Sequence, residues 1–247
     1  MARQLGGRGW RVAVTGRRDA QLEETARQVR SAGGECLALV GSVTEPDVVR
    51  RHYAAIRERW DGLDWAILNA GVGDSVDARR FCAATYHHVF ETNVGGAVNW
   101  LEAVLPGMIA AGSGTVAGIS SLAASRGLPG AGAYSASKAA LSTLLESTRV
   151  DLRGTGVDVV IVSPGFVRNG SSSPAEDEGK LFLMELEDGV RHILAGIDRR
   201  KRVVHFPWQL SYLMRYVVHN LPGASYDWLI SRLAGRAPRD ETAPPPR

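Results

Sequence analysis

Short apolar runs alternate with longer stretches of helical periodicity through most of the chain. The apolar runs, each ended by turn residues, predict strands over 12–15, 36–40, 63–68, 115–120, 157–162 and 202–205. The stretches between them predict helices over 20–32, 46–60, 78–111 (with a break near Gly95 and Gly96) and 133–153. Strands that are apolar on both faces and alternate with helices predict a single α/β domain with a doubly wound parallel sheet.

The same pattern divides the chain into three regions. Residues 1–205 form the predicted α/β domain, residues 206–236 a helical extension, and residues 237–247 a disordered tail ending in Ala-Pro-Pro-Pro-Arg. The extension carries an apolar stripe at helical spacing, formed by Leu210, Leu213, Met214, Val217 and Val218. Core packing or a subunit interface explains this stripe better than peripheral contact with a membrane.

Composition and charge exclude several classes of protein. The 247 residues are 45% hydrophobic and 22% charged, which is typical of a globular chain and not of a disordered one. A net charge of +3 gives no argument for nucleic-acid binding. No apolar run approaches the ~18 residues of a transmembrane span, and the N-terminus lacks the apolar core of a secretory signal. With two cysteines and scattered histidines, we expect no disulfide framework, no metal site and a cytoplasmic location.

One pair of side chains has the spacing of a proton-transfer site. Tyr134 and Lys138 stand at i and i+4, so they share one face of the predicted helix. An ammonium ~4 Å from a phenol, at an effective dielectric of ~20, favours the phenolate by up to ~4 kcal/mol. The pKa of Tyr134 is therefore expected to fall by as much as ~3 units, which suits a general acid/base near neutral pH. Taken alone, such a pair is more often an ordinary feature of a solvated helix.

Polar and glycine residues cluster directly after the predicted strands. Asn69-Ala70-Gly71 follows one strand, Ser120-Ser121 ends the next, and Ser163-Pro164-Gly165 follows the last buried one. Ligands of parallel α/β sheets bind beyond these carboxyl ends. Asn93 adds a poor helix former inside a helical stretch. Each feature alone is compatible with a turn or a local hydrogen bond, but together they predict a ligand site.

These motifs, in this order and at this spacing, resemble those of the short-chain dehydrogenase/reductase family over roughly residues 3–205. The resemblance implies a Rossmann-like fold and hydride transfer between a nicotinamide cofactor and a small-molecule carbonyl or secondary alcohol. It implies that Tyr134 is the general acid/base and that Lys138 lowers the tyrosine pKa and binds the nicotinamide ribose. Ser121, in preference to Ser120, would bind the carbonyl oxygen, and Asn93 would hold a water for proton relay. The resemblance also places a set of residues beside the cofactor: Asn69, Ala70, Gly71, Pro164, Gly165 and Val167.

Two arginines favour NADP over NAD. Arg17 and Arg18 follow the predicted strand over 12–15, where the resemblance puts the group that meets the adenosine ribose. An NAD enzyme usually has an acidic residue there, whereas guanidinium groups suit a 2′-phosphate. The alternative is that both arginines are solvated loop charges. Ser42 stands near the expected adenine, and Arg168 replaces a threonine that in the family often helps to hold the nicotinamide amide.

The largest departure from the family lies at the beginning of the chain. The glycine-rich turn that binds the pyrophosphate is absent, and residues 2–10 match the end of the family's first helix. We therefore expect the first strand, which lies in the middle of the sheet, to be missing, and Met1 to be an internal methionine. Losing about five buried apolar side chains at ~1.5–3 kcal/mol each would destabilise the domain badly and weaken cofactor binding.

Three functions are compatible with these features. The intact Ser121, Tyr134 and Lys138 favour an NADP-dependent oxidoreductase, whereas the missing turn favours a non-catalytic relic or a partner-binding subunit. An epimerase or dehydratase is disfavoured by the short C-terminal part. The Ser- and Glu-rich stretch over 169–180 fits a substrate lid or an ordinary loop. A homo-oligomer is an expectation from the resemblance alone.

Overall fold

The computed structural model describes residues 1–74, 77–168, 177 and 180–234; residues 233 and 234 are described by their backbone alone. Its strands are β1 Arg11–Gly16, β2 Glu35–Val40, β3 Trp65–Leu68, β4 Gly114–Ile119, β5 Val157–Pro164, β6 Val167–Arg168, β7 Met184–Glu185 and β8 Val203–Phe206. Its α-helices are α1 Ala2–Gly6, α2 Asp19–Ser31, α3 Pro46–Trp60, α4 Ala83–Phe90, α5 Gly96–Ala111, α6 Gly132–Asp151, α7 Leu186–Asp198, α8 Trp208–Tyr212 and α9 Gly223–Ala234.

All strand pairs in the described residues are parallel. Four strands form one sheet in the order β3-β4-β5-β8, and β1 pairs with β2 in a second sheet. The register aligns Leu68 with Gly118 and Ile119 with Val162, so the carboxyl ends of β3, β4 and β5 lie side by side. This arrangement brings the loops that follow those strands to one edge of the sheet.

Helices cover both faces of the four-stranded sheet. On one face, α5 and α6 pack through Leu101, Val104, Leu141 and Leu145 against β3, β4 and β5. On the other face, α7 packs its buried side chains against β4, β5 and β8, and against the cluster formed by α1, α2, β1 and β2. The strands are therefore apolar on both faces, as the sequence pattern predicts, and the doubly wound α/β fold is confirmed.

A cleft separates the two sheets. The residues of β1 from Val12 to Thr15 and those of β3 from Trp65 to Leu68 line a common cavity of about 390 Å³. A second cavity, of about 730 Å³, is lined by the beginnings of the same two strands. The rings of Trp10 and Trp65, with centroids 4.3 Å apart, connect the two sides. The expectation that a middle strand is missing stays a prediction.

The predicted helix over 78–111 is the prediction that needs most correction. The described structure divides it into a 3₁₀ turn over Ala78–Arg80, α4, a π-helical turn over Glu91–Gly95, and α5. The break expected near Gly95 and Gly96 is therefore a π turn that changes the helix geometry without ending it. The other predicted strands and helices match the observed ones to within about two residues.

One helical stretch, Ala83–Ala111, is long and apolar enough to cross a membrane by length and composition. The core helix of a soluble protein passes the same test, and here the α5 side chains of Leu101, Val104 and Met108 are buried against the sheet. The stretch therefore gives only weak support for a membrane span.

The helical extension forms α8, a π-helical turn over Leu213–Val218, and α9. Leu210 and Val218 of the predicted stripe are buried, whereas Val217 is exposed. The predicted tail over 237–247 and most of the predicted lid over 169–180 lie outside the described residues.

Candidate active site

The predicted site residues meet at the carboxyl ends of β3, β4 and β5. Asn69, Ala70 and Gly71 follow β3, Ser121 follows β4, and Pro164 ends β5. The following helix α6 carries Tyr134 and Lys138. The topology alone therefore brings together residues that are up to about a hundred positions apart in the chain.

Tyr134 and Lys138 share one face of α6, as their spacing predicts. The Lys138 side chain is 4% exposed, and its Nζ lies 5.8 Å from the centroid of the Tyr134 ring. Nζ donates a hydrogen bond of 2.7 Å to the backbone carbonyl of Ile119, at the end of β4. This bond ties the middle of α6 to the strand that carries Ser121, so the lysine position is fixed by the sheet.

The pKa of Tyr134 moves in the direction opposite to the prediction. Burial raises the pKa of the Tyr134 phenol, and a hydrogen bond with the Ser121 side chain lowers it by less. Burial also lowers the pKa of the Lys138 ammonium to about 8. The net shift of the Tyr134 pKa is therefore opposite to the expected fall, and the effect of Lys138 on the phenolate stays a prediction. The ammonium is directed at the Ile119 carbonyl, and desolvation dominates over its attraction for the phenolate.

The two adjacent serines after β4 have different partners. Ser120 Oγ is buried and bonds to the backbone carbonyl of Lys138 (3.0 Å) and to Ser142 Oγ (2.6 Å). Ser121 Oγ accepts a hydrogen bond from the amide of Ala123 (3.1 Å), and the Ser121 side chain lowers the pKa of Tyr134. Ser120 thus holds α6 against the sheet, and Ser121 is the serine that reaches the tyrosine.

Asn93 lies in the π-helical turn and is 1% exposed. Its Oδ1 accepts from the amide of Val72 at 2.7 Å, and its Nδ2 donates to the Val72 carbonyl and to Ser137 Oγ, both at 2.9 Å. The asparagine therefore joins the segment after β3 to α6. Both of its amide hydrogens are engaged by protein, so the predicted water would have to use the second lone pair of Oδ1 or a backbone group.

Two glycines after β3 allow the chain to pass close to the site. A Cβ atom on Gly71 would lie 3.1 Å from Lys138 Nζ and 3.4 Å from Asn93 Oδ1. A Cβ atom on Gly73 would lie 3.0 Å from the Tyr134 ring. Side chains at these positions would crowd the lysine and the tyrosine. The sequence pattern identified Gly71 as part of a motif, but not the role of Gly73.

The residues expected beside the adenosine lie at the ends of β1 and β2. Arg17 and Arg18 are exposed and follow β1. Ser42 follows β2, and its Oγ is 2.8 Å from Thr44 Oγ1 and accepts from the Thr44 amide. Asn69 and Ala70 are exposed and line the cavity between β1 and β3. These ends leave space along the sheet edge for an extended ligand.

The loop after β5 is held by neighbouring elements. The amide of Gly165 donates to the Phe206 carbonyl at 2.7 Å, and Val167 pairs with Met184 in the short β6-β7 sheet. Arg168 forms ion pairs with Asp177 and Glu185. Arg168, which replaces the family threonine, is therefore held in ion pairs, one of them with Glu185 of β7.

Sequence reasoning missed two residues that organise the site. Ser137 is fully buried, donates to the Tyr134 carbonyl and accepts from Asn93. Val72 contributes both backbone groups to Asn93. The position of Ser137, one residue before Lys138, could have indicated a role in the site. Its bond to Asn93, which lies on another helix, could not be read from the sequence.

The fold and this constellation define a parallel α/β protein with a half-buried tyrosine and a buried lysine at the carboxyl edge of its sheet. A family model described as short chain dehydrogenase matches residues 1–179. The chain therefore belongs to the short-chain dehydrogenase family, and it is an oxidoreductase of that type with a nicotinamide cofactor.

Relatives of this chain include proteins named as oxidoreductases. An uncharacterized oxidoreductase of Myxococcus xanthus is 41% identical over 233 residues, which cover 94% of this chain and 91% of the relative. The 3-oxoacyl-[acyl-carrier-protein] reductase FabG of Staphylococcus epidermidis is 27% identical and covers 75% of this chain and 76% of its own length. These names favour an enzyme over a non-catalytic relic.

Solved structures share the fold. Levodione reductase superposes with a TM-score of 0.77 at 23% identity, covering 85% of this chain and 91% of its own. An NADH-dependent reductase, A1-R′, solved as a complex with NAD, has a TM-score of 0.62 at 26% identity, covering 67% of this chain and 72% of its own. The neighbours therefore include an enzyme that uses NAD, and they leave the choice between NAD and NADP to the residues of this chain.

Proposed function

We propose that this protein transfers hydride between NADP(H) and a small-molecule carbonyl or secondary alcohol. The observation that supports this most strongly is the meeting of Ser121, whose side chain lowers the pKa of Tyr134, with Tyr134 and the buried Lys138 at the end of β4. A hydroxyl pair at the carboxyl end of a central strand is placed to bind one oxygen atom of a substrate. A nicotinamide bound there would supply the hydride.

In the proposed reduction, Ser121 donates a hydrogen bond to the substrate carbonyl oxygen and Tyr134 gives it a proton. The hydride adds to the carbonyl carbon, so the product is an alcohol and the phenol becomes a phenolate. Lys138 stabilises that phenolate electrostatically and takes part in returning its proton. The raised pKa of Tyr134 keeps the phenol protonated before the reaction, as a general acid requires.

The residues after β3 and on α6 fit a bound nicotinamide ribose. Gly71 leaves free the space that a Cβ would fill, directly beside Lys138 Nζ. An ammonium group has three N–H donors, and the bond to the Ile119 carbonyl uses one of them. A ribose hydroxyl can therefore accept a hydrogen bond from Lys138 Nζ. Lys138 would therefore bind the ribose as well as assist Tyr134.

The preference for NADP rests on Arg17 and Arg18. Both are exposed at the end of β1, where a ribose phosphate would meet their guanidinium groups. We expect Arg17→Ala and Arg18→Ala to raise the Kd for NADPH about tenfold each, because each removes one charge-assisted contact. The Kd for NADH should change by less than about twofold, as should both constants in the matched control Arg27→Ala. Equal losses for NADPH and NADH would exclude the role in cofactor choice.

We also propose that tight cofactor binding needs an extended apolar segment in the cleft between β1 and β3. Two parallel strands line the cavity of about 390 Å³, and such strands take a third parallel strand between them. That strand would place its carboxyl end between those of β1 and β3, where the pyrophosphate is expected. Without such a segment we expect weak cofactor binding, and the protein would then be the non-catalytic relic or partner-binding subunit.

An oligomeric assembly and a cytoplasmic location stay predictions. The relatives named as ketoacyl reductases act on carbonyl compounds, which supports the proposed reaction class. The described residues bring no charged side chain to Tyr134 beyond Lys138 in the contacts above. A substrate that carries no charge close to its reacting carbonyl group fits that environment.

A further inference from the structure

The C-terminal segment over 207–226 is attached to the loop that begins with Ser121, and the proposed reaction does not explain this attachment. The loop continues from Ser121 through the 3₁₀ turn Leu122–Ser125 to Arg126 and Gly127. It leads into α6, which carries Tyr134. A contact that fixes this loop therefore acts on the surroundings of the site.

Arg126 makes most of the attachment. Its half-buried side chain donates through Nη1 to the backbone carbonyls of Val218 (3.0 Å), His219 (2.9 Å) and Leu221 (2.7 Å). These carbonyls lie at the end of the π-helical turn, where helix carbonyls commonly lack partners within the helix; Val218 also accepts from the Leu221 amide at 3.3 Å. A guanidinium at this position satisfies them and complements the negative end of the helix dipole.

Two further contacts support the arginine. The guanidinium carbon of Arg126 lies 4.1 Å from the centroid of the Tyr226 ring, and the Tyr226 hydroxyl donates to the Gly127 carbonyl. The Nδ1 atom of His219 is 2.8 Å from the Ser125 carbonyl. Ser125, Arg126 and Gly127 of the loop are thus each bonded to the C-terminal segment.

The same segment also contacts the loop after β5. A Cβ atom on Gly165 would lie 2.8 Å from Leu210 Cδ2 and 3.1 Å from Pro207 Cδ. Leu210 itself is buried. The segment therefore spans from the loop beside Pro164 to the loop beside Ser121, along the substrate side of the proposed site.

We propose that Arg126 is a positioning residue that holds the segment over 207–226 as one wall of the substrate pocket and so limits which carbonyl compounds enter. This inference rests on the proposed function. Arg126 bonds backbone groups of the segment, so it would act on substrate choice through the position of the segment. The chemical step at Tyr134 is independent of it.

The experiment measures reduction of a graded series of 2-alkanones, from butanone to 2-undecanone, with NADPH. The variants are Arg126→Met, which keeps the aliphatic stem, Arg126→Lys, which keeps the charge, and Tyr226→Phe, which removes only the donation to Gly127. Arg57→Met, on the exposed side of α3, is the matched control. Hydrogen exchange of the backbone amides is recorded for every variant.

For Arg126→Met we expect an increase of about tenfold in KM for the longest ketone that wild type reduces, because the charge-assisted bonds to three carbonyls are lost. The kcat with butanone and the KM for NADPH should stay within about twofold. Arg126→Lys should recover part of the loss, and Tyr226→Phe should show a smaller change in the same direction. Exchange should rise in 213–221 and 122–127 and stay unchanged in β4 and β5.

Two results would overturn the proposal. One is an equal loss of kcat for every ketone together with faster exchange throughout the sheet, which indicates a general loss of stability. The other is no change in either KM or exchange. If wild type reduces no ketone at all, the proposed function fails, and the exchange pattern of Arg126→Met still decides whether the arginine holds the segment.

Discussion

The buried ammonium of Lys138 is the most consequential single group in the site. Its pKa of about 8 in the folded protein is below the value of ~10.4 expected in the unfolded chain. Between these two values the unfolded state binds more protons, so the free energy of unfolding rises with pH across this window. The charge is therefore kept at a cost to stability, which is typical of functional sites.

This lysine gives a prediction for stability against pH. Relative to Lys138→Met, the free energy of unfolding of wild type should increase by about 3 kcal/mol between pH 7 and pH 10.5, since a shift of one pKa unit corresponds to ~1.36 kcal/mol. Urea denaturation at several pH values measures the difference, and Arg57→Met serves as a control without a buried charge. A constant difference between wild type and Lys138→Met over this range would contradict the account.

At the scale of single residues, some predictions from the sequence are correct and others are not, and each outcome has a physical reason. The spacing of Tyr134 and Lys138 predicted their shared face, because helix geometry alone decides it. The direction of the tyrosine pKa was wrong, because burial depends on the surrounding fold and cannot be read from spacing. The bonds of Asn93 to Val72 and Ser137 were missed, because their partners lie 21 and 44 positions away.

At the scale of elements, the contact between β4 and α6 decides how accurately the site is built. Ser121 follows β4, while Tyr134 and Lys138 stand on α6. Gly118 allows the close approach, since a Cβ there would lie 2.1 Å from Leu145 Cδ1 in the fully buried core. The Ser120 and Lys138 bonds then fix the helix along the strand.

Gly118→Ala should therefore destabilise the protein by about 1–3 kcal/mol through overpacking. The control Gly62→Ala should cost less than about 0.5 kcal/mol, since a Cβ there meets no atom within 4 Å. Leu145→Ala alone should cost about 2–5 kcal/mol, and the double variant should cost less than the sum of the two. Thermal or urea unfolding tests this. Strict additivity would exclude the contact between the two side chains.

The strands and most helices were predictable because buried parallel strands are continuously apolar and are separated by turn residues. The π-helical turn Glu91–Gly95 was not predictable, since hydrogen bonds from i to i+5 have no pattern of their own in sequence. The attachment of α8 and α9 to the Ser121 loop was also hidden, because Arg126 bonds carbonyls more than 90 positions away.

At the scale of the molecule, the proposed limit on cofactor binding depends on the cleft between β1 and β3. We predict that the 247-residue chain binds NADPH at least tenfold more weakly than a form that carries an added apolar segment able to pair in this cleft. The reason is that a strand in the cleft would pair both edges and complete the pyrophosphate end of the sheet. Fluorescence titration of the tryptophans measures the Kd, and hydrogen exchange of β1 and β3 reports on pairing. Equal affinity of the two forms would contradict the proposal.

The central claim is that Tyr134 transfers a proton while hydride moves to or from NADP(H), and one measurement tests it most directly. NADPH oxidation by a ketone substrate is compared between wild type, Tyr134→Phe and the control Tyr53→Phe, in whichever form of the protein binds NADPH. The account predicts a loss of at least about a hundredfold in kcat for Tyr134→Phe, with the Kd for NADPH and the activity of Tyr53→Phe unchanged within about twofold. A Tyr134→Phe variant that keeps wild-type kcat would contradict it.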